Sequence, residues 1–417
     1  MSKINGLFAW WMFTLASIFL LYEMGLQVSP SVMVADLMED FQIGAKNLGL
    51  LSGLYFFSYA FMQIPSGLLF DRFSAKIILF VGCLSCSLGA LFFSLTGEFF
   101  YACFGRILLG FGSSFAFVGT LVIASRWFYP SWFAFMAGST QFLAGFGALV
   151  AAYPLAYAVD FYGWRASILA LALFGILLSF LCLIFIKNQP DHIKSQAHTP
   201  RYGIVKSLKV LLHEPQNIYG AIYSFCTWGP LLVFAGLWGV PFFSMKFLIS
   251  NTQAAFLVSM IWVGVSISSP LFGIISDWLK RRKIVLVISS ILGLIASMIV
   301  IYGPMVSDLF LGVVLFLFGV ASASQILAFA LIKENNPKHV IGTGMGFNNM
   351  AVVIGGAIFQ PLVGFLMNQA KITVDHVYSL FSYQFALSII PICFFIAAIV
   401  AVFFIKETFA QSKYDSE

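Results

Sequence analysis

Two ionisable side chains lie inside long apolar stretches of this sequence, where charged residues are rare. Glu23 is in the first apolar run and Arg106 is in the fourth. A charge in hydrocarbon is costly unless it is paired or hydrated, so each is a candidate functional group. Arginine can hold a carboxylate or a phosphate through its planar fork. Glu23 could bind an ammonium group of a substrate or carry a coupling proton.

These two groups could also work together. A cavity of low dielectric constant favours the neutral form of a carboxyl group, whereas a basic neighbour favours the ionised form. A substrate anion that occupies Arg106 would therefore let Glu23 take up a proton. The structural alternative is that Glu23 and Arg106 pair with each other and hold the helices together. The sequence leaves both interpretations open.

Weaker candidates are polar or aromatic side chains on the apolar runs. Gln27 lies one helical turn beyond Glu23, and Tyr55, Tyr59 and Gln63 recur every four residues. The later runs contribute Tyr223, Trp228, Gln325, Asn348, Asn349 and Gln360. A single such residue more often makes an interhelical hydrogen bond than a substrate contact. The second half has no charge within its apolar runs, so charge recognition is predicted to lie in the first.

The apolar runs that carry these residues are long enough to cross a bilayer. The chain has 417 residues, of which 61% are hydrophobic and 9% charged. A soluble domain has about 25% charged residues, and a crossing helix needs about 20 apolar residues. We predict spans at 8–34, 48–70, 77–96, 99–124, 132–158, 166–187, 216–245, 252–275, 284–303, 306–332, 340–369 and 379–405. The chain is therefore predicted to be an all-α integral membrane protein.

One polar segment, 188–215, divides the spans into two sets of six. The predicted units are an N-terminal bundle (1–187), a cytoplasmic linker (188–215) and a C-terminal bundle (216–417). Most Lys and Arg residues fall on the side of the chain ends. By the positive-inside rule, both termini are predicted to be cytoplasmic, in the inner membrane of a bacterium.

Other functional classes have little support in the sequence. The net charge of +6 is confined to short gaps between apolar runs, so a nucleic-acid partner is not expected. A Walker loop and a His/Cys cluster with metal spacing are both lacking, so no cofactor, metal or catalytic residue is predicted. Cys83 and Cys86 have redox-motif spacing but lie within a span. A non-transporting membrane sensor is the alternative of a different class, although it should append a soluble domain.

A short motif occurs at the same place in both halves. The loop after the second span contains Gly67, Asp71 and Arg72, and the loop after the eighth contains Gly273 and Asp277, followed by Lys280, Arg281 and Arg282. An acidic group at a helix end can pair with a basic residue or with a helix N-terminus across the boundary between halves. We predict Asp71, Arg72, Asp277 and Arg281 to be gating residues.

The first of these loops resembles the signature loop of the major facilitator superfamily. Gly67, Leu69, Asp71, Arg72 and Lys76 match it, whereas Ser74 and Ala75 depart from it. The segment Arg106-x-x-x-Gly110-x-Gly112 is similar to the motif of the fourth span in that family. The resemblance implies a transporter of twelve helices in two six-helix bundles related by a pseudo-twofold axis. It also implies a monomer, with spans 1, 4, 7 and 10 around a central cavity.

A narrower resemblance concerns the eleventh span. Asn335-Asn336-Pro337, followed by Gly342-x-Gly344-x-Gly346-x-Asn348-Asn349, is similar to organic-anion and nitrate carriers. It also resembles amino-acid and nucleoside importers of intracellular bacteria and lysosomal dipeptide carriers. This implies secondary active or facilitated transport of an amino acid, a short peptide or an organic anion, driven by protons or by the gradient of the substrate. A carrier of drugs or siderophores with the same fold is the alternative.

Overall fold

The computed structural model describes residues 6–128, 132–188, 204–304, 307–337, 340–370, 378–411 and 413–414. Within these ranges the chain is helical and has no strand. The α-helices are α1 Gly6–Val28, α2 Val34–Asp40, α3 Ala45–Arg72, α4 Ala75–Leu95, α5 Phe99–Ser113, α6 Ala116–Trp127, α7 Phe133–Tyr162, α8 Trp164–Phe185, α9 Ile204–His213, α10 Pro215–Val233, α11 Gly239–Phe247, α12 Asn251–Leu279, α13 Lys283–Tyr302, α14 Asp308–Ala323, α15 Ile326–Asn335, α16 Ile341–Gln369, α17 Leu380–Leu387 and α18 Ile389–Ile399.

These helices form twelve segments that are long and apolar enough to cross a membrane, which confirms the predicted number. They are Gly6–Val32, Ala45–Phe70, Ala75–Leu95, Phe99–Trp127, Phe135–Tyr162, Trp164–Phe185, Pro215–Phe247, Asn251–Leu279, Lys283–Tyr302, Asp308–Asn335, Ile341–Gln369 and Leu380–Phe404, here called spans 1 to 12. Helices suit such sequences because they satisfy every backbone polar group without water. The predicted ends agree to within a few residues.

Spans 4 and 10, which occupy equivalent places in the two halves, are each interrupted near the middle. Span 4 breaks between α5 and α6 at Ser114, and span 10 breaks between α14 and α15 at Ser324. Each serine hydroxyl donates to a carbonyl three residues earlier, which is Phe111 in span 4 and Ala321 in span 10. A side chain that binds the local backbone competes with the helical hydrogen bonds. The break is thus a repeated feature of the two bundles.

The two halves meet through span 2 against span 11 and through span 5 against span 8. Gly53 packs so closely that an added Cβ would lie 2.8 Å from the ring of Pro361. At the end of span 1, Asn251 Nδ2 of span 8 donates to the carbonyl of Val32 at 2.6 Å. We call the face that carries the ends at Gly6 and Phe404 the terminal face. The contacts just described lie on the opposite face or towards it.

The halves separate towards the terminal face. Gly145 of span 5 faces Ser266 of span 8, whereas Gly138 and Gly273, seven residues nearer the terminal face on the same helix sides, face open space. Gly67 of span 2 and Gly342 of span 11 also have open space beside them, within the part of the chain that the structure describes. The halves are therefore packed together on the opposite face and separated on the terminal face.

A substitution can test this arrangement. A Cβ at Gly364 would overlap the carbonyl oxygen of Ala45 on span 2, whereas a Cβ at Gly342 would meet nothing within 4 Å. We expect Gly364→Ala to destabilise this conformation by about 1–3 kcal/mol, the usual cost of overpacking. The matched Gly342→Ala should leave it unchanged. Thermal unfolding of the two purified variants measures the difference, and equal midpoints would contradict the closed opposite face.

The segment 188–215 contains a structured element that the sequence analysis did not predict. Helix α9 occupies Ile204–His213 and ends two residues before span 7 begins. Its apolar residues Leu208, Leu211 and Leu212 follow helical spacing, but the helix has only ten residues, too few to cross a bilayer, and it lies within the predicted linker. Residues 189–203 lie outside the described ranges.

Candidate functional site

Glu23 is fully buried on span 1, and its carboxylate is only half satisfied. Its Oε2 accepts a hydrogen bond from the Tyr55 hydroxyl on span 2 at 2.9 Å. The same hydroxyl lies 3.5 Å from Oε1 of Gln27, one turn along span 1. Glu23 Oε1 has no partner among the described residues. Tyr55 thus joins the two predicted polar residues of span 1.

Arg106 is also fully buried, on span 4, and only one of its three side-chain nitrogens has a hydrogen-bond partner among the described residues. Its Nη1 donates to the carbonyl of Leu26 at 3.2 Å. Its Cζ lies 4.9 Å from the centre of the Tyr55 ring, a cation–π distance. Nε and Nη2 have no hydrogen-bond partner in the described part of the chain. These two N–H groups point in parallel from one edge of the guanidinium group, and that edge binds carboxylates in a bidentate manner.

The direct ion pair between Glu23 and Arg106 does not form. No ion pair among the described residues joins them, and atoms of both remain unpartnered. Tyr55 instead contacts each, through its hydroxyl for Glu23 and through its ring for Arg106. The structural alternative was that the two residues hold the helices together. Of this, the structure shows only the hydrogen bond from Arg106 to the backbone of span 1. Two ionisable groups are therefore buried on either side of Tyr55, with no ion pair between them.

The polar stripe on span 2 continues from Tyr55 towards the terminal face. The rings of Tyr55 and Tyr59 have centroids 6.0 Å apart. One turn further, Gln63 Oε1 accepts a hydrogen bond from Asn349 Nδ2 of span 11 at 2.5 Å. The stripe therefore extends from the Glu23 site to the C-terminal half, where Gln63 and Asn349 form a polar contact between the halves.

A second polar contact lies beside it within the C-terminal half. Ser224 of span 7 donates to Asn348 Oδ1 of span 11 at 3.0 Å, while Asn348 Nδ2 has no partner among described residues. At 1.5 Å per residue, Ser224, Asn348 and Gln63 all lie about 10–14 Å from the terminal ends of their helices. Three spans thus contribute polar groups to one layer.

Further buried polar atoms in the C-terminal half lack partners within the described ranges. Trp228 and Trp262 meet edge to face with centroids 6.4 Å apart, and Trp262 Nε1 is unpartnered. Gln325, which follows the break in span 10, has an unpartnered Oε1. Gln360 donates to the carbonyl of Leu232 at 2.8 Å but leaves its own Oε1 free. Buried polar atoms are nearly always satisfied, so water or a polar solute is expected to supply these partners.

Tyr223 is oriented differently from the other predicted residues. Its hydroxyl donates to the carbonyl of Leu286 on span 9 at 2.9 Å and lies 2.8 Å from Ser324 Oγ. Both hydroxyl contacts are made within the C-terminal half. This placement favours the packing role that the sequence analysis left open.

The predicted gating motif of the second half uses a different arginine. Asp277 pairs with Arg282 at 2.6 Å, whereas the guanidinium group of Arg281 lies over the ring of Phe409, 6.0 Å from its centre. Lys280 adopts a left-handed conformation (φ 51°), and the resulting turn carries Arg281 past the helix end. The partner of Asp277 is therefore Arg282, which was not among the predicted gating residues, and the gating role of Arg281 stays a prediction.

Arg282 also pairs with Glu334 at the end of span 10, at 2.8 Å. Burial lowers the pKa of Arg282, while its hydrogen bonds and ion pairs with Glu334 and Asp277 raise it, and the net direction is upward. Arg282 and Glu334 have side chains only 7% and 9% exposed, whereas Asp277 is 65% exposed. The buried member of this cluster is thus the pair of Arg282 with Glu334.

We expect Glu334→Gln to destabilise the protein by about 3–5 kcal/mol, because it leaves a buried cation without its main partner. Asp277→Asn is the matched control, and its effect should be at most about 1 kcal/mol because the carboxylate is exposed. Thermal unfolding in detergent measures both. A loss as large for Asp277→Asn as for Glu334→Gln would show that the exposed pair is the one that matters.

In each half, a side chain that follows the sixth span accepts hydrogen bonds from the backbone at the N-terminus of the third span. Asn188 Oδ1 accepts from the backbone N–H of Ala75 at 2.9 Å and also from Arg126. In the second half, Glu407 accepts from the backbone N–H groups of Arg282 and Lys283 at 2.7 and 3.0 Å. Such carboxylate or amide oxygens stabilise the start of a helix. The sequence contains no spacing rule that could have identified Asn188 or Glu407.

Two further predictions concern the gating role of Asp71 and Arg72 and the lack of charges within the spans of the second half. Arg72 is exposed, and the side chain of Asp71 lies outside the described side chains. Lys246 and Glu334 fall within the last turns of spans 7 and 10, so the prediction that the second half has no charge in its spans was wrong. Lys246 donates to the carbonyl oxygens of Val300 and Ile301 at 2.9 and 3.3 Å, where the positive charge suits a helix C-terminus.

Twelve membrane-spanning helices in two packed sets that separate towards one face, with buried polar atoms left unpartnered among the described residues of each set, define a membrane carrier. The Major Facilitator Superfamily family model matches residues 15–360, and the chain belongs to this family. It is a multi-pass membrane transporter of small solutes and not an enzyme.

The chain is similar to proteins that carry different solutes. It is 21% identical to the hexuronate transporter of Bacillus subtilis, with 81% of this chain and 83% of that protein aligned. It is 23% identical to the lysosomal dipeptide transporter MFSD1 of Homo sapiens, over 82% of this chain and 76% of that protein. A crystal structure of a bacterial homologue of the human lysosomal transporter Spinster, inward-facing and unoccupied, aligns with a TM-score of 0.73 at 13% identity, covering 98% and 97% of the two chains.

Proposed function

We propose that the protein carries a small solute with a carboxylate group, an organic anion, an amino acid or a short peptide, by alternating access. The observation that carries this proposal is the unpartnered edge of Arg106, formed by Nε and Nη2. Both N–H groups of that edge are buried, and leaving them without an acceptor costs free energy. A carboxylate satisfies both at once.

The chemistry of the relatives supports this class of solute. A hexuronate and a dipeptide differ in size and in net charge, but each carries a carboxylate. The polar atoms left unpartnered in the C-terminal half, on Trp262, Gln325 and Asn348, would bind the hydroxyl or amide groups that distinguish one solute from another. Recognition is then divided between the halves, with the anion bound by the first.

A proton is the proposed coupling ion, and Glu23 is its proposed carrier. The Glu23 carboxyl is fully buried, and the structure places no cation within 4 Å of it among the described residues. Ionising such a group is costly, and a bound proton removes that cost. Occupation of Arg106 by a substrate anion would remove the nearest source of positive potential and favour protonation of Glu23.

The terminal face is proposed to be cytoplasmic, because most Lys and Arg residues lie on that side of the twelve spans. Both termini and the segment 188–215 would then lie in the cytoplasm of a bacterium, between bundles formed by 1–187 and 216–417. The site as described would open inward. A monomer is proposed as the working unit, because the interface between halves is formed within one chain.

A counterflow screen in proteoliposomes tests the substrate class. Vesicles loaded with a hexuronate, a dicarboxylic sugar acid, a dipeptide or an amino acid should exchange it for the labelled form, whereas the matching amides and esters should not. Equal exchange of acids and their uncharged analogues would overturn the role of the carboxylate. Exchange of lipophilic drugs alone would instead favour the drug-carrier alternative.

A further inference from the structure

Among the described side chains of helix α9, Ser207 and Leu211 form the side that packs on the C-terminal half. Ser207 and Leu211 are buried, and the Leu211 side chain would lie 3.0 Å from a Cβ added at Gly344 of span 11. The Leu211 carbonyl accepts a hydrogen bond from Asn217 Nδ2 at 2.9 Å. Asn217 in turn exchanges amide hydrogen bonds with Asn336, at 3.0 and 2.7 Å. This side of α9 rests on spans 7 and 11.

The other sides of α9 follow a second pattern. At 100° per residue, Leu208 and Leu212 lie beside the buried side, and Lys209, His213 and Lys206 come next around the helix. Leu208 is half-buried and Leu212 is 50% exposed, while the three basic residues are exposed. An apolar strip bordered by basic residues is typical of helices that lie in the interface of a bilayer.

The position of α9 places this strip at the bilayer surface. Span 7 begins at Pro215, two residues after the helix ends, and Ile218 and Ile222 on its first turns are exposed. The single residue between the two helices, Glu214, keeps the C-terminal end of α9 beside the start of span 7. This position brings Leu212 and the two lysines within reach of the leaflet that surrounds the terminal end of span 7.

We infer that α9 is a binding surface for the headgroups of anionic phospholipids in the leaflet of the terminal face, with Lys206 and Lys209 as the groups that recognise the phosphate charge. The surface is complementary in charge and in polarity to that leaflet. Because Leu211 rests on Gly344, a lipid held by α9 stabilises the terminal end of span 11 in the position it has here. Anionic lipid would therefore favour the conformation open to the terminal face.

The test uses the full-length chain in a neutral detergent, titrated with phosphatidylglycerol or with phosphatidylcholine. Phosphatidylglycerol should raise the thermal midpoint of the wild type, and phosphatidylcholine and inorganic phosphate should not. A lysine near an anionic surface contributes about fivefold in affinity, so Lys206→Gln/Lys209→Gln should need on the order of twentyfold more phosphatidylglycerol for the same shift. Lys280→Gln, an exposed cation on another loop of the terminal face, should behave as the wild type.

An equal response of the double variant and the wild type would overturn the inference, and so would an equal weakening by Lys280→Gln, which would indicate a diffuse charge effect. A second measurement does not depend on stability. A polarity-sensitive fluorophore on Leu212→Cys should report an apolar environment in vesicles that contain phosphatidylglycerol. Emission typical of water would place α9 away from the interface and refute the proposal. Neither result bears on the substrate class.

Discussion

Arg106→Lys is expected to lower carboxylate exchange by about ten- to a hundredfold while leaving the fold intact. Lysine keeps the positive charge, but it cannot present two parallel N–H groups to a carboxylate. Hydrogen bonds to a charged partner contribute about 1.5–3 kcal/mol each, which sets the size of the loss. Counterflow of the substrate identified by the screen measures the effect, and thermal unfolding of the same preparation reports on the fold.

The matched control is Arg126→Lys, the same substitution at the terminal end of the same span. Arg126 binds the carbonyl of Phe70 and the side chain of Asn188, away from the central site. This variant should lose some stability and keep its substrate affinity. If Arg106→Lys instead retained full exchange and lost stability, Arg106 would be a structural residue that fastens span 4 to the Leu26 carbonyl.

Glu23→Gln is expected to abolish accumulation driven by a pH gradient while counterflow stays within a few-fold of the wild type. The amide oxygen of glutamine can still accept the hydrogen bond of Tyr55, so the local geometry is kept. What is lost is the group that exchanges a proton. Because the substitution removes a buried charge that has no paired cation, the thermal midpoint should not fall.

Uptake into proteoliposomes with and without an imposed pH gradient separates the two activities. Glu39→Gln, a neutralised carboxylate exposed on the opposite face, is the control and should keep the response to the gradient. An unchanged response in Glu23→Gln would show that Glu23 does not carry the coupling proton. Loss of counterflow as well would indicate that Glu23 binds the substrate directly.

The sequence predicted the spans because the physics that defines them is local. Apolar runs of bilayer length, interrupted by short charged gaps, need no knowledge of packing, and all twelve were found. The rarity of charges inside those runs was enough to select Glu23 and Arg106. The recurrence of Tyr55, Tyr59 and Gln63 on one helix side was likewise visible as spacing alone.

The relations between spans could not be predicted in the same way. Tyr55 touches both buried charges because three helices, distant in sequence, meet at one level. The sequence does not show that Lys280 adopts a left-handed conformation. It therefore could not show that Asp277 pairs with Arg282 and not with Arg281. Serine is common within membrane helices, and nothing in the sequence distinguishes Ser114 and Ser324 from serines that do not interrupt a helix.

The interruptions at Ser114 and Ser324 bear on how the carrier changes its direction of access. A helix bends most easily where its regular hydrogen bonds are interrupted, and at both breaks some of them are replaced by bonds to the residue three positions earlier, at the same depth in each bundle. The segments of spans 4 and 10 on the terminal side of these breaks can therefore change their angle while the segments near the opposite face stay packed. Closing the gap between the halves on the terminal face would then require bending mainly at these two breaks, without a rotation of each bundle as a rigid block.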